Sequence, residues 1–175
     1  MREPETMEEK PYPIIEGESM NVAEPVIARQ TTAFDSVISF LHSRNLTVDM
    51  KRAIYKQLQI EVADENLGYL KARLKEFSTL AKGWDGEEAQ PAVPEATANV
   101  KEVLYSCKPN DVADWSLFPN TNGTYLLQKQ HAIINIGEKQ FTYWAEADGK
   151  DIGEEYVPFS VNSVLKAIRT INAYA

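Results

Sequence analysis

The stretch Gln140-Phe141-Thr142-Tyr143-Trp144-Ala145 alternates with a period of two, with Phe141, Tyr143 and Ala145 on one side and Gln140, Thr142 and Trp144 on the other. Successive side chains of a β-strand point to opposite faces, so this pattern reads as a half-buried strand. Its neighbours read as the rest of a meander. Gly137-Glu138 fits a two-residue hairpin turn with glycine first, and Asp148-Gly149 is a second hairpin signal. Upstream, Trp115–Phe118, Thr124–Gln128 and His131–Ile136 read as strands, with a turn at Pro119–Gly123. Downstream, Glu155–Phe159 reads as an edge strand, where Pro158 is tolerated. Hairpins joined in sequence make antiparallel neighbours, and such a sheet can leave one face wet.

Before the meander the period is helical. A helix is expected over Thr32–Arg44, with Phe34, Val37, Ile38 and Leu41 on one face and Asn45 at its end. A second is expected over Asp49–Gln59, capped by Asp49, with Met50, Ile54 and Leu58 in register. Gln57-Leu58-Gln59-Ile60-Glu61-Val62 also alternates at period two and is compatible with a short strand. A third helix is expected from an N-cap at Asp64 to Lys82, with Leu67, Leu70, Leu74, Phe77 and Leu80 on its face. Gly68 inside it costs about 1 kcal/mol relative to alanine.

Pro94 suits the first position of a fourth helix, whose apolar face is Ala96, Val100, Val103, Leu104 and Cys107. The chain ends in a helix from Ser160 to Ala173, with Val161, Val164, Leu165, Ile168 and Ile171 aligned. Each helix has one apolar stripe to bury. The expected fold is therefore α+β: an antiparallel β-meander of three to five strands with helices packed mainly on one face.

At 175 residues the chain fits one domain, and its hydrophobic (43%) and charged (25%) fractions are those of an ordinary globular protein. No run approaches the ~18 apolar residues of a membrane span. The first twenty residues lack a basic start followed by an apolar run, so no secretory signal is expected. One cysteine, Cys107, allows neither an intramolecular disulfide nor a Cys-rich metal site. Its expected role is a small buried hydrophobe in a cytoplasmic protein.

The net charge of −8 repels a phosphate backbone on average and disfavours nucleic acid as a partner. Residues 1–30 hold seven glutamates against Arg2, Lys10 and Arg29, a net of −4, and with four prolines they read as an acidic, largely flexible segment. Residues 31–175 read as the single folded domain. They carry the other −4 at a much lower density, which leaves room for a local basic patch.

Gly83-Trp84-Asp85-Gly86 follows the third helical stripe and admits three readings. Mechanically, Gly83 ends the helix in a left-handed conformation and Trp84 folds back, burying on the order of 200 Å². Asp85 accepts backbone N–H bonds, and Gly86 adds a second permissive position. Chemically, Asp85, Glu87 and Glu88 form a carboxylate cluster that suits a divalent cation or acid–base work, although the alternating ligands of a calcium loop are missing. As a third possibility, Trp84 is an exposed anchor for a partner.

The run from Leu74 through Gly83-Trp84-Asp85-Gly86, Ala89, Pro91, Pro94 and Ala96, followed by Pro119 and Gly123-Thr124-Tyr125-Leu126-Leu127, resembles a broad group of small bacterial proteins. In that group a Gly-Trp-Asp-Gly-like turn joins two helices and a short meander follows. The resemblance spans about residues 64–145. It implies a bacterial or phage origin, including carriage on a mobile element, and it brings no catalytic residues. The Glu87-Glu88 pair and the long N-terminal extension depart from it.

Other chemistry is sparse. His42 and His131 lie in no ligand motif. There is no glycine-rich phosphate loop or nucleophile elbow, and Ser116, Ser160 and Ser163 have no triad context. The informative feature is the aromatic meander. If Phe141 and Tyr143 face the core, Trp144 and Thr142 face away from the helices, with Tyr125 or Leu127 as neighbours, and that strip either binds a ligand or is covered by residues 1–30 or a dimer partner.

The expected function is a non-catalytic interaction protein meeting a protein partner or a second copy through the open sheet face or the Trp84 loop. Trp84, Asp85, Tyr125, Thr142 and Trp144 are the candidate binding residues, with no catalytic residue, metal or cofactor. The alternatives are a metal-dependent enzyme using Asp85, Glu87 or Glu88, and a small-ligand module with Trp144 as a stacking platform.

Overall fold

The computed structural model describes residues 46–147 and 149–174, together with Ser39. The acidic segment 1–30, the helix expected over Thr32–Arg44 apart from Ser39 (and so His42), Asn45 and the hairpin residue Asp148 lie outside the described residues. Among the described residues the chain forms three α-helices, a 3₁₀ turn and five strands in the order α1 (Val48–Phe77), α2 (Pro94–Ser106), the turn Pro109–Asp111, β1 (Ser116–Pro119), β2 (Tyr125–Lys129), β3 (Ala132–Ile136), β4 (Gln140–Ala147), β5 (Lys150–Pro158) and α3 (Val161–Tyr174). The sheet order is β1-β2-β3-β4-β5 with every neighbouring pair antiparallel, an α+β meander with the helices on one side.

Helix α1 corrects the sequence reading. The two helices expected at Asp49–Gln59 and Asp64–Lys82 are one helix of 30 residues, about 45 Å long. Thr47, not Asp49, is its N-cap, accepting the Met50 N–H on Oγ1 at 3.3 Å. Asp64 is an exposed interior position. Nothing between Gln59 and Asp64 breaks a helix, since Ile60-Glu61-Val62-Ala63 contains neither glycine nor proline. The helix also stops at Phe77, before Lys82. The Ser78 hydroxyl donates to the Lys75 carbonyl and the Thr79 hydroxyl to that of Glu76, both at 2.7 Å. These side chains take the last-turn carbonyls, so hydroxyls end the helix and Gly83 does not.

Helix α2 begins at Pro94 as expected, burying Ala96, Val100, Val103 and Leu104. Helix α3 buries Val164, Leu165, Ala167, Ile168 and Ile171. Helix α1 packs on α2, β1 and the 3₁₀ turn, α2 on β2 and β3, and α3 on α2, β4 and the same turn. Leu117, Tyr125, Leu127, Ala132, Ile134, Ile136, Phe141 and Ala145 supply the sheet's half of the core.

Two polar side chains organise the passage from helices to sheet. Asn66 of α1 is buried and donates through Nδ2 to the carbonyls of Val112 at 2.7 Å and Trp115 at 3.0 Å. Asn172 of α3 donates to the Asp111 carbonyl at 2.7 Å and accepts from Trp115 Nε1 and Lys129 Nζ, both at 3.1 Å. Trp115 lies one residue before β1 and is 1% exposed.

The hairpins differ in detail from the sequence reading. Ile136 pairs with Phe141 and Gly137 donates its N–H to the Gln140 carbonyl at 3.0 Å, so the β3–β4 turn centres on Glu138-Lys139, one residue later than expected. Asn99 of α2 holds this turn from outside, donating to the carbonyls of Gly137 and Glu138, both at 2.8 Å. Strand β5 is longer than expected and carries a bulge. Phe141 pairs with Val157 and Tyr143 with Glu154, so Thr142 opposes both Glu155 and Tyr156. At the bulge Tyr156 takes the left-handed conformation, φ +55°, which is unusual for a side chain of its size.

Two glycines make opposite predictions. Gly68 has a helical backbone and open space around the position of a Cβ. Gly68→Ala is expected to raise stability by about 0.5–1 kcal/mol in denaturant unfolding. Gly123 has φ +84°, and an added Cβ would lie 2.6 Å from the Pro91 carbonyl oxygen. Gly123→Ala is expected to cost roughly 1–3 kcal/mol or more in the same measurement. A neutral Gly123→Ala would show that the loop carrying Pro91 does not seat on this turn.

Candidate functional site

The sheet face away from the helices is built by alternation and register. Ser116, Gln128, Ile133, Trp144 and Gly153 are successive cross-strand partners from β1 to β5. A second row runs Phe118, Leu126, Asn135 and Thr142. On the other face Leu117, Tyr125, Leu127, Ile134, Ile136 and Phe141 are buried, and Tyr143, Ile152 and Val157 pack against the core. On this face Phe118 remains 43% exposed, Ile133 40% and Trp144 37%. Ile133 and Trp144 sit directly opposite each other on adjacent strands, close enough for an aromatic–β-branched contact.

Gly153 lies tight against the backbone of β4, where an added Cβ would come 2.5 Å from the Tyr143 carbonyl oxygen, so the position accepts no side chain without moving the backbone. Beside Trp144 lies a shallow cleft of about 370 Å³, with Thr142 and Trp144 on one side and Asp151, Gly153 and Glu155 on the other. Glu154 accepts the Tyr143 hydroxyl at 2.9 Å. Burial first, then the hydrogen bond and charge of Glu154, push the Tyr143 phenol above its ordinary range.

Of the residues singled out from sequence, the structure groups Thr142 and Trp144 on this face and separates the others. Tyr125 is a correction. It points into the core, fully buried, with its hydroxyl 2.9 Å from Thr97 Oγ1. Leu127 shares that face, and the half-buried Leu126 takes the open-face place instead. The reason is parity: Tyr125 pairs with Ile136, which pairs with Phe141, and all three must face alike. Phe118 and Ile133 complete the open face. The sequence signal for Ile133 was its odd-numbered place between the core-facing Ala132 and Ile134.

The Gly83-Trp84-Asp85-Gly86 segment closes on itself elsewhere. Trp84 is half-buried and donates Nε1–H to the Gln90 carbonyl at 3.0 Å. Gly83 donates to the Ala89 carbonyl at 2.8 Å, and Ala89 donates to that of Gly86 at 3.1 Å. Gly83 and Gly86 both take positive φ, +82° and +88°. Gln90 and Val93 then donate to the carbonyls of Thr121 and Gly123 at 2.7 and 2.9 Å, which docks the loop on the β1–β2 turn. Asp85, Glu87 and Glu88 are exposed, and no three His, Cys, Asp or Glu side chains among the described residues converge as cation ligands. The bonds of this loop are those of a clasp between helix and sheet.

Cys107 is buried at the end of α2, its Sγ 3.5 Å from the Leu104 carbonyl. No family model matches the chain, and no curated protein or solved structure is significantly similar to it. Among the described residues, no helix is long and apolar enough to cross a membrane.

Burial, and then the carboxylate of Asp111, push the Cys107 thiol up. A group whose folded value is raised stabilises the fold below its unfolded value and loses that contribution as pH rises through the folded one. Cys107 is therefore expected to react with an aromatic disulfide at pH 8 at least about tenfold more slowly in the native protein than in urea. Equal rates would mean that the thiol is accessible.

Proposed function

We propose that the protein is a non-catalytic interaction module that meets a protein partner or a second copy of itself through the open sheet face. The observation that carries this reading is the exposure of Phe118, Ile133 and Trp144 on the sheet face that the helices among the described residues leave open while they pack on the other. Apolar groups gathered on one face gain by leaving water together, at about 25 cal/mol per Å² removed. Aromatic residues at the centre of such a patch are the usual anchors of binding energy. The acidic rim beside Trp144, Asp151 and Glu155, favours a partner with basic groups at its margin.

The setting we infer is cytoplasmic and bacterial or phage-related, following the resemblance carried by the Gly83–Gly86 turn. The Trp84 loop supports the fold in this reading, since its indole N–H is committed to Gln90. A metal-dependent enzyme built on Asp85, Glu87 and Glu88 gains no supporting observation. The cleft beside Trp144 favours one second reading, a small planar ligand stacked on that indole.

The test is a pair of variants on the open face, Trp144→Ala and Ile133→Glu, compared with the wild type by sedimentation velocity and by affinity capture. Wild type is expected to self-associate by about 100 μM or to retain a specific protein, and both variants to lose that contact. Their thermal transitions should stay close to that of the wild type, because neither side chain belongs to the helix-packed core. A wild type that is monomeric and captures nothing the Ile133→Glu variant does not would overturn the reading. If Trp144→Ala unfolds the chain while Ile133→Glu has no effect on association, Trp144 is a structural residue and the open face is not a contact surface.

A further inference from the structure

On the opposite side of the molecule, α1 and α2 lie against each other and leave a groove of about 320 Å³. Two ladders line it. Lys71, Lys75 and Ser78 rise along α1 at spacings of four and three, and Thr97, Lys101 and Tyr105 rise along α2 at spacings of four. These spacings bring each set onto one helix face. Leu74 lies between the ladders as an apolar floor. No carboxylate lines the groove, and none of the three lysines is in an ion pair among the described residues. The chain carries a net charge of −8, so a cluster of three unpaired cations runs against its overall composition.

Local helix energetics do not favour this arrangement. Lys71 and Lys75 are like charges at i and i+4, a pairing that destabilises a helix modestly, and no carboxylate among the described residues forms an ion pair with either. The hydroxyls add little donor capacity. Ser78 already donates to the Lys75 carbonyl, and Thr97 is engaged with Val93 and Tyr125. The groove therefore offers ammonium groups as donors and an aromatic wall. Tyr105 is 66% exposed, with the Lys71 Nζ 4.4 Å from its ring centroid. A half-open aromatic ring flanked by cations suits a flat group attached to a cluster of negative charge. The volume is at the lower end of the range for small-molecule sites, about 300–1,000 Å³.

We propose that the α1–α2 groove is a binding site for a small phosphate-bearing ligand of the nucleotide class. Lys71, Lys75 and Lys101 hold the phosphates, and the Tyr105 ring carries the planar base. This site is separate from the open sheet face and does not depend on the function proposed for it. Lysine acts on a phosphate as a mobile point charge, so binding is expected to weaken steeply with salt.

The experiment titrates the full chain with ATP and with inorganic tripolyphosphate by calorimetry at low ionic strength. Both are expected to bind with a Kd below about 1 mM, ATP the more tightly. Lys75→Gln/Lys101→Gln should weaken both by about tenfold or more, and these exposed positions leave the thermal transition in place. Tyr105→Ala should weaken ATP while leaving tripolyphosphate unchanged. Absence of saturable binding by either probe, or binding unaltered in the lysine double variant, overturns the site. ATP and tripolyphosphate binding equally, both indifferent to Tyr105→Ala, overturns the assignment to the nucleotide class.

Discussion

The fold depends on how two asparagines grip one short piece of backbone. The segment from Asp111 to Trp115 carries the chain from the helical layer into the first strand, and its carbonyls are drawn away from water. Asn66 reaches it from α1 and Asn172 from α3, so three of those carbonyls meet a side-chain amide, and the Trp115 indole finds its acceptor in Asn172. Each such bond contributes only about 1 kcal/mol net, but a buried carbonyl left without its donor costs about 1–3 kcal/mol. The grip also sets geometry. With Trp115 seated, β1 enters the sheet in one register, and the meander that follows has its buried face determined by parity.

A second joint, the loop from Gly83 to Val93, fastens α1 and α2 to the turn between β1 and β2. The loop is held from within by the Trp84 indole and from outside by backbone bonds to Thr121 and Gly123. The feature that stood out in the sequence as a candidate for chemistry has its donors and acceptors turned inward. Its carboxylates are exposed to solvent. The two joints hold the helical layer against one sheet face, and among the described residues the other face keeps Phe118, Ile133 and Trp144 exposed.

That division gives the molecule two surfaces of different character. The open sheet is apolar and aromatic with an acidic margin, which suits a macromolecular contact. The groove between α1 and α2 concentrates lysines in a chain that is acidic overall. The average charge repels nucleic acid at long range, but it does not decide what a local site of three cations can hold, because screening confines each charge's influence to about 8–10 Å.

The alternation of Gln140–Ala145, the apolar face of α2 from Pro94, and that of α3 were legible along the chain, because strand and helix periods depend on near neighbours. So were the order of helices and meander and the outward direction of Trp144. What the sequence did not disclose is where tertiary contacts intervene. The union of two expected helices into α1 follows from the absence of a breaker, but its end at Phe77 rests on which hydroxyls reach the last carbonyls. The β3–β4 turn centres one residue later than Gly137-Glu138, and Asn99, some forty residues away in sequence, satisfies its carbonyls. Tyr125 could be assigned to a face only once its strand's register with Ile136 was known. The lysine groove exists because two helices lie side by side. By itself, then, the sequence determined the local periods and the balance of charge. Which faces meet was left to long-range packing, since that depends on groups brought together only when the backbone polar groups between helices and sheet find their partners.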